Sequence, residues 1–191
     1  ITSGIFNTLI GGLTGDALDV GNSNIAIGTS ALGADTKGSK TVAIGLSALA
    51  TQNFTSATDA LNTAVGYSAG NTLTTGIQNT LIGALAGDAL DDADMNVAVG
   101  YNALTADTLG SRSTAIGRGA LAVQNFTSAT DSNNTAVGFG AGVAVSTGTD
   151  NTLLGASAGA SLNTGNQNVI IGSTAGDAMS DADRNVAIGF A

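Results

Sequence analysis

A short apolar pulse returns along this chain at nearly constant intervals. Each pulse opens on a polar residue, runs through three residues suited to a strand, and closes on Gly. Asn7-Thr8-Leu9-Ile10-Gly11 and Asn24-Ile25-Ala26-Ile27-Gly28 are the first two. The closing glycines are Gly11, Gly28, Gly45, Gly66, Gly83, Gly100, Gly117, Gly138, Gly155, Gly172 and Gly189, at steps of seventeen except for two steps of twenty-one. A sustained period of this length marks a stacked repeat. Seventeen residues are too few for two helices and a turn, but they fit one coil of a solenoid with two or three short strands. The pattern predicts an all-β, parallel β-solenoid of eleven coils, each of seventeen or twenty-one residues. Coils stacked ~4.8 Å apart would make a rod roughly 50 Å long.

Alternation within the pulse suggests which side chains face inward, since successive strand residues point to opposite faces. The third strand residue is always Ile, Val or Leu, from Ile10 through Val99 to Ile188, and is assigned to the coil interior. The second, from Leu9 through Ala98 to Ala187, is then outward, yet it too is apolar. A strand apolar on both faces is buried on both, so the outer row calls for a cover, most simply further copies of the chain about a symmetry axis. A small residue three positions after Gly, as in Ala31, Ala48 and Ala69, suggests a tight corner and a second strand. The opening Asn, replaced only by Thr41 and Ser113, fits either a side-chain ladder along the rod or a simple turn preference.

A longer period is superimposed. Residues 2–70 match residues 74–142, so a four-coil unit of seventy-two residues has been duplicated, and Gln52-Asn53-Phe54-Thr55-Ser56-Ala57-Thr58-Asp59 recurs unchanged at 124–131. The array fills residues 1–191 as a single unit with no linker. It starts at Ile1 and stops at Phe190-Ala191 without a polar capping repeat, which is expected of a piece of a longer fibre, or of ends that meet other chains.

Composition narrows the chemistry. Pro, Cys, His and Trp are absent, and all fourteen acidic residues are Asp, which suits turns better than helices. Without His, Cys or Glu there is little material for acid–base or nucleophilic work, and no enzyme or cofactor is expected. The net charge is −9, and the five basic residues (Lys37, Lys40, Arg112, Arg118, Arg184) form no stripe for phosphates, which argues against nucleic acid. No apolar run reaches the ~18 residues of a membrane span.

Asn-Thr-Ala-Val-Gly-Tyr-Ser-Ala-Gly at 62–70 and Asn-Val-Ala-Val-Gly-Tyr-Asn-Ala-Leu at 96–104 resemble the head repeats of trimeric autotransporter adhesins of the YadA type, and related repeats of phage tail fibres. The resemblance implies a left-handed β-roll, a homotrimer, and a structural segment for attachment on a cell surface or virion. Its partners would be itself, further fibre segments end to end, and a surface receptor or glycan. The family's repeats are shorter than these, and neither a coiled-coil stalk nor a membrane anchor is present here.

Candidate contact residues follow. Phe54 and Phe126 sit in the extra residues of the two long coils, where each either meets a receptor or folds back over an apolar groove between chains. Tyr67, Tyr101 and Phe139 directly follow a motif Gly and are expected outside or at a subunit boundary. Asp88, Asp91, Asp92 and Asp94, then Asp177, Asp181 and Asp183, with a weaker echo at Asp16 and Asp19, could ligate Ca²⁺ through hard oxygens. A calcium-binding secreted solenoid is therefore the alternative function, although the nonapeptide calcium repeat is absent and Asx turns on an acidic face also account for these residues. A Thr array for ice binding is disfavoured, because the row Thr8, Thr63, Thr80, Thr114, Thr135, Thr152 is interrupted by Val and Ile.

Overall fold

Every apolar pulse forms one three-residue strand. Thr, Val and Ile favour the extended backbone, and the Gly that follows breaks it. The computed structural model describes residues 2–190; Ile1 and Ala191, at the chain ends noted above, lie outside the described residues. The strands are β1 (Thr8–Ile10), β2 (Ile25–Ile27), β3 (Gly38–Ser39), β4 (Val42–Ile44), β5 (Thr58–Asp59), β6 (Thr63–Val65), β7 (Thr80–Ile82), β8 (Val97–Val99), β9 (Gly110–Ser111), β10 (Thr114–Ile116), β11 (Thr130–Asp131), β12 (Thr135–Val137), β13 (Thr152–Leu154), β14 (Val169–Ile171) and β15 (Val186–Ile188). Eleven of them form one parallel sheet in the order β1-β2-β4-β6-β7-β8-β10-β12-β13-β14-β15, and β3 pairs β5 and β9 pairs β11 as small parallel ladders. The described residues contain no helix. The molecule is an all-β parallel solenoid of about eleven turns.

The registers align equivalent residues, as in Ala98 opposite Ala115 and Val99 opposite Ile116. Two columns enforce this alignment. Asn side chains form one. Asn79 Oδ1 accepts from the backbone N–H of Asn96 at 2.9 Å, while Asn79 Nδ2 donates to the Ala93 carbonyl at 2.7 Å. The Oδ1 atoms of Asn24, Asn62, Asn96, Asn134, Asn151 and Asn168 act likewise. The ladder thus exists, running from side chain to backbone. The motif glycines form the other column. At Gly100 φ is +136°, and a Cβ there would lie 2.6 Å from the Gly117 carbonyl oxygen. Only Gly lets successive coils approach this closely in that conformation.

The inside–outside assignment expected from the sequence is reversed. The second strand residue faces the coil interior: Ala26, Ala43, Ala64, Leu81, Ala98, Ala115, Ala136, Leu153 and Ile170 are all 0% exposed. The third, invariantly bulky residue faces out, with Ile10, Ile82, Ile116 and Leu154 exposed and Val99 half-buried. The reason is space. The interior of so narrow a coil cannot hold a branched side chain on every strand, so the row containing Ala in most coils is the one that fits.

The corner after Gly is also corrected. It contains no second strand; Ala31 and its equivalents sit buried in turns. Four residues after each motif Gly from Gly11 to Gly172, the corner residue has positive φ and is either Leu or Gly. The choice compensates the strand. Where the inward strand residue is Ala26, Ala43, Ala98 or Ala115, the corner is Leu32, Leu49, Leu104 or Leu121, all 0% exposed. Where it is Leu9, Leu81, Leu153 or Ile170, the corner is Gly15, Gly87, Gly159 or Gly176. A Cβ on Gly159 would come within 2.9 Å of Leu153. The two Gly corners beside Ala64 and Ala136, Gly70 and Gly142, are filled by Leu81 and Leu153 of the next coil. Strand and corner thus share the interior space, and a large side chain on one is matched by a small residue on the other.

Candidate interaction site

The sequence offered four kinds of site, and the structure separates them. The first is the outer face of the main sheet. Its two rows are the first and third strand residues, Thr, Val or Ile beside Ile, Val or Leu, one pair per coil. Ile10 is 58% exposed, Leu154 45% and Ile188 71%. Eleven parallel strands place these side chains on one continuous face, with no charged residue in either row. This face, rather than the Leu9-to-Ala187 row, is the apolar surface that lacks a cover in the single chain.

The second is a ridge beside it. The residue after each motif Gly stacks on its equivalent in the next coil, giving Tyr67, Ala84, Tyr101, Arg118 and Phe139 in succession. The rings of Tyr67, Tyr101 and Phe139 are about half exposed. Arg118 lies between two of them, its guanidinium carbon 5.8 Å from the Tyr101 ring centroid and 5.4 Å from that of Phe139. Backbone bonds hold each rung. The Tyr101 carbonyl accepts from Gly119 N–H at 3.0 Å, the Arg118 carbonyl from Gly140 at 3.0 Å, and the Phe139 carbonyl from Ser157 at 2.8 Å. Tyr67 and Tyr101 therefore stand where a ligand can reach them. Sequence reasoning missed Arg118, although its place in the column after Gly would have found it.

The third is the pair of long coils, where the expectation is corrected. Phe54 and Phe126 do not stand out on polar loops; they are 5% and 6% exposed. Each ring lies against a glycine of the preceding coil. A Cβ on Gly38 would meet Phe54 at 2.9 Å, and one on Gly110 would meet Phe126 at 2.8 Å. The tripeptides Thr55-Ser56-Ala57 and Thr127-Ser128-Ala129 that follow them are exposed.

Beneath each long coil lies a buried polar cassette that the sequence reading did not identify. Asp35 is 0% exposed. Its Oδ1 accepts from Gly38 N–H at 2.9 Å and Phe54 N–H at 3.2 Å, and its Oδ2 accepts from Gln52 Nε2 at 2.7 Å. Gln52 Nε2 also donates to Thr41 Oγ1, and Gln52 Oε1 accepts from Asn62 Nδ2 at 2.8 Å. Asp107, Gln124, Ser113, Phe126 and Asn134 repeat the arrangement four coils on. Thr41 and Ser113, which stand where other coils have the motif Asn, supply the hydroxyls that accept from the Gln amides. The signal was present seven residues after each Gly, where a column of Leu18, Leu73, Leu90, Val145 and Leu162 is broken only by these Asp–Gln pairs and Met179.

The fourth is the set of acidic turns. Their carboxylates are bonded coil to coil: Asp91 accepts from Thr74 Oγ1 at 2.6 Å, Asp92 from Thr75 Oγ1 at 2.7 Å, Asp94 from Ile77 N–H at 2.7 Å, Asp88 from Thr105 Oγ1 at 2.5 Å. Asp181 and Asp183 do the same with Thr164 and Asn166, and Asp19 with Thr2. Asp16 and Asp177 sit exposed in turns. Among the described residues no three acidic side chains converge as a metal-ligand set.

The geometry thus defines a parallel β-solenoid with one apolar outer sheet face, bordered by an aromatic ridge. No protein-family model, curated protein or solved structure matches the chain.

Proposed function

We propose that this chain is a self-associating structural rod, a fibre or adhesin segment that presents an elongated surface for attachment. The uncovered face of the main sheet carries this reading. At about 4.8 Å per coil and about 3.3 Å per residue, the face is roughly 50 Å by 10 Å, or about 500 Å². Apolar patches beyond a few hundred Å² mark interaction sites. Copies of this chain are the simplest cover. The face repeats a row of Ile, Val and Leu beside a row of Thr, Val and Ile along its whole length, and can meet itself in register about an axis parallel to the rod. Closure about such an axis leaves no edge for further growth sideways. The resemblance to YadA-type heads supports three chains, a left-handed coil and an extracellular, cell-surface or virion location.

Sedimentation equilibrium of the purified chain tests the reading. A single oligomeric species, a trimer, is expected. A soluble monomer at micromolar concentration overturns it.

A further inference from the structure

We propose that the ridge Tyr67–Tyr101–Arg118–Phe139 is a binding platform for a neutral, extended glycan, a straight ribbon of β-1,4-linked pyranoses. The biological sense of the proposal rests on the attachment reading above; its geometry does not.

The spacing is the first argument. The three rings stand two coils apart, with Ala84 and Arg118 at the intervening levels. Coils advance ~4.8 Å, so the rings recur every ~9.6 Å. In a two-fold ribbon of equatorially linked sugars, each pyranose advances by about one coil, and every second one turns the same C–H face to one side. Alternate sugars therefore fall level with successive rings and can meet the exposed half of each with their C–H surfaces.

The second argument is the cation. Neither ion pair among the described residues, Lys40–Asp59 or Arg112–Asp131, involves Arg118. Its guanidinium sits between two rings and carries five donors in a fixed fork. At the level of the intervening sugar it meets hydroxyl and ring oxygens. The ridge column contains no acidic residue, while the chain as a whole is strongly negative at −9. A neutral glycan suits that balance better than a polyanion, which the net charge repels.

The third argument is rigidity. The backbone bonds from Leu85, Gly119, Gly140 and Ser157 fix the backbone of each rung before any ligand arrives, so only side-chain ordering is left to binding.

The test is calorimetric titration of the purified protein, in its own association state, with cellotriose, cellohexaose and maltohexaose. Cellohexaose spans all three rings and cellotriose only two, so the longer probe is expected to bind about tenfold more tightly. Maltohexaose, whose α-links curl the chain, is expected not to bind. Tyr101→Ala removes the central ring and is expected to weaken cellohexaose about tenfold or more, and Arg118→Ala several-fold, with sedimentation unchanged. Absence of cellohexaose binding, equal binding of maltohexaose, or an unaffected Tyr101→Ala titration overturns the proposal. So does a change of oligomeric state in Tyr101→Ala, which assigns the ridge to contact with a second copy. An associated chain that binds no β-glycan defeats this inference alone, and a monomer that binds cellohexaose defeats only the rod reading.

Discussion

Substituting Gln52→Glu changes no shape and adds one carboxyl 2.7 Å from Asp35, at a site where both residues are 0% exposed. Among the described residues no cation pairs with the cassette. The ion pair Lys40–Asp59 lies at the surface, with both side chains about half exposed. Two carboxylates in one buried site cannot both ionise, so the new carboxyl enters the fold with a proton. Its pKa is therefore raised on folding, and the folded state binds that proton more tightly than the unfolded chain. Below the ordinary Glu value the variant lacks only the donation to Thr41, and it loses further stability as pH rises. Starting from a Glu value of about 4.3 at about 1.36 kcal/mol per unit, the loss grows with pH to at most about 1 kcal/mol at pH 5 and at most about 3.7 kcal/mol at pH 7. Urea unfolding followed by circular dichroism at pH 5 and pH 7 measures it, with the wild-type difference subtracted. Gln124→Glu, 2.6 Å from Asp107, is an independent repeat of the same experiment. The two sites are four coils apart, and their effects should add. Equal destabilisation at both pH values would show that the cost is steric, and no destabilisation at pH 7 would show that water reaches the cassette. Either result refutes the reasoning.

Other outcomes are expected from the same structure. Ala98→Asp buries a charge inside the coil and should abolish the folded state by circular dichroism, whereas Val99→Asp, on the outer face, should keep the β-signal and lose association by sedimentation. Asp94→Asn retains an oxygen for the Ile77 N–H and should melt within about a degree of wild type. Phe54→Ala should cost about 3–5 kcal/mol by urea unfolding, while replacing Thr55, Ser56 and Ala57 together by Gly should cost under about 1 kcal/mol. Calcium at millimolar concentration should leave the melting temperature unchanged, since the acidic turns spend their oxygens on neighbouring coils.

The period, the parallel stack and the strand positions were legible in the sequence because Asn and Gly are demanded by backbone geometry at each coil. Gly100 fits against Gly117 for a reason that belongs to the position itself. Which strand face points inward was not legible by the usual rule, under which the bulkier row is the core. That rule presumes a core wide enough for bulk, and here the coil's width decides. The true register could be read only from the pairing of Ala26 with Leu32 and of Leu81 with Gly87, a correlation between strand and corner. Which surface Phe54 folds back on was not legible for a similar reason. Its pocket is the missing side chain of Gly38, which belongs to the coil before it. The aromatic ridge was half legible: Tyr67 and Tyr101 were singled out, but the role of Arg118 depends on the stacking of levels.

The exchange of Leu and Gly between strand and corner also constrains how such a rod can change length. A coil with Ala and Leu does not fit below a neighbour built to receive a Leu from the strand, so coils are not interchangeable parts. Gly70 and Gly142 are already filled from the coil that follows them. Losing either of the two adjacent Ala–Leu coils would leave Asp35 or Gln52 buried without its partner. Losing or gaining four together, the interval from Gly11 to Gly83, restores every junction. Adding whole four-coil blocks therefore lengthens the rod in steps of about 19 Å with every junction kept. The third block shows how the rule is obeyed under drift: where Ala26 and Ala98 have become Ile170, Leu32 and Leu104 have become Gly176.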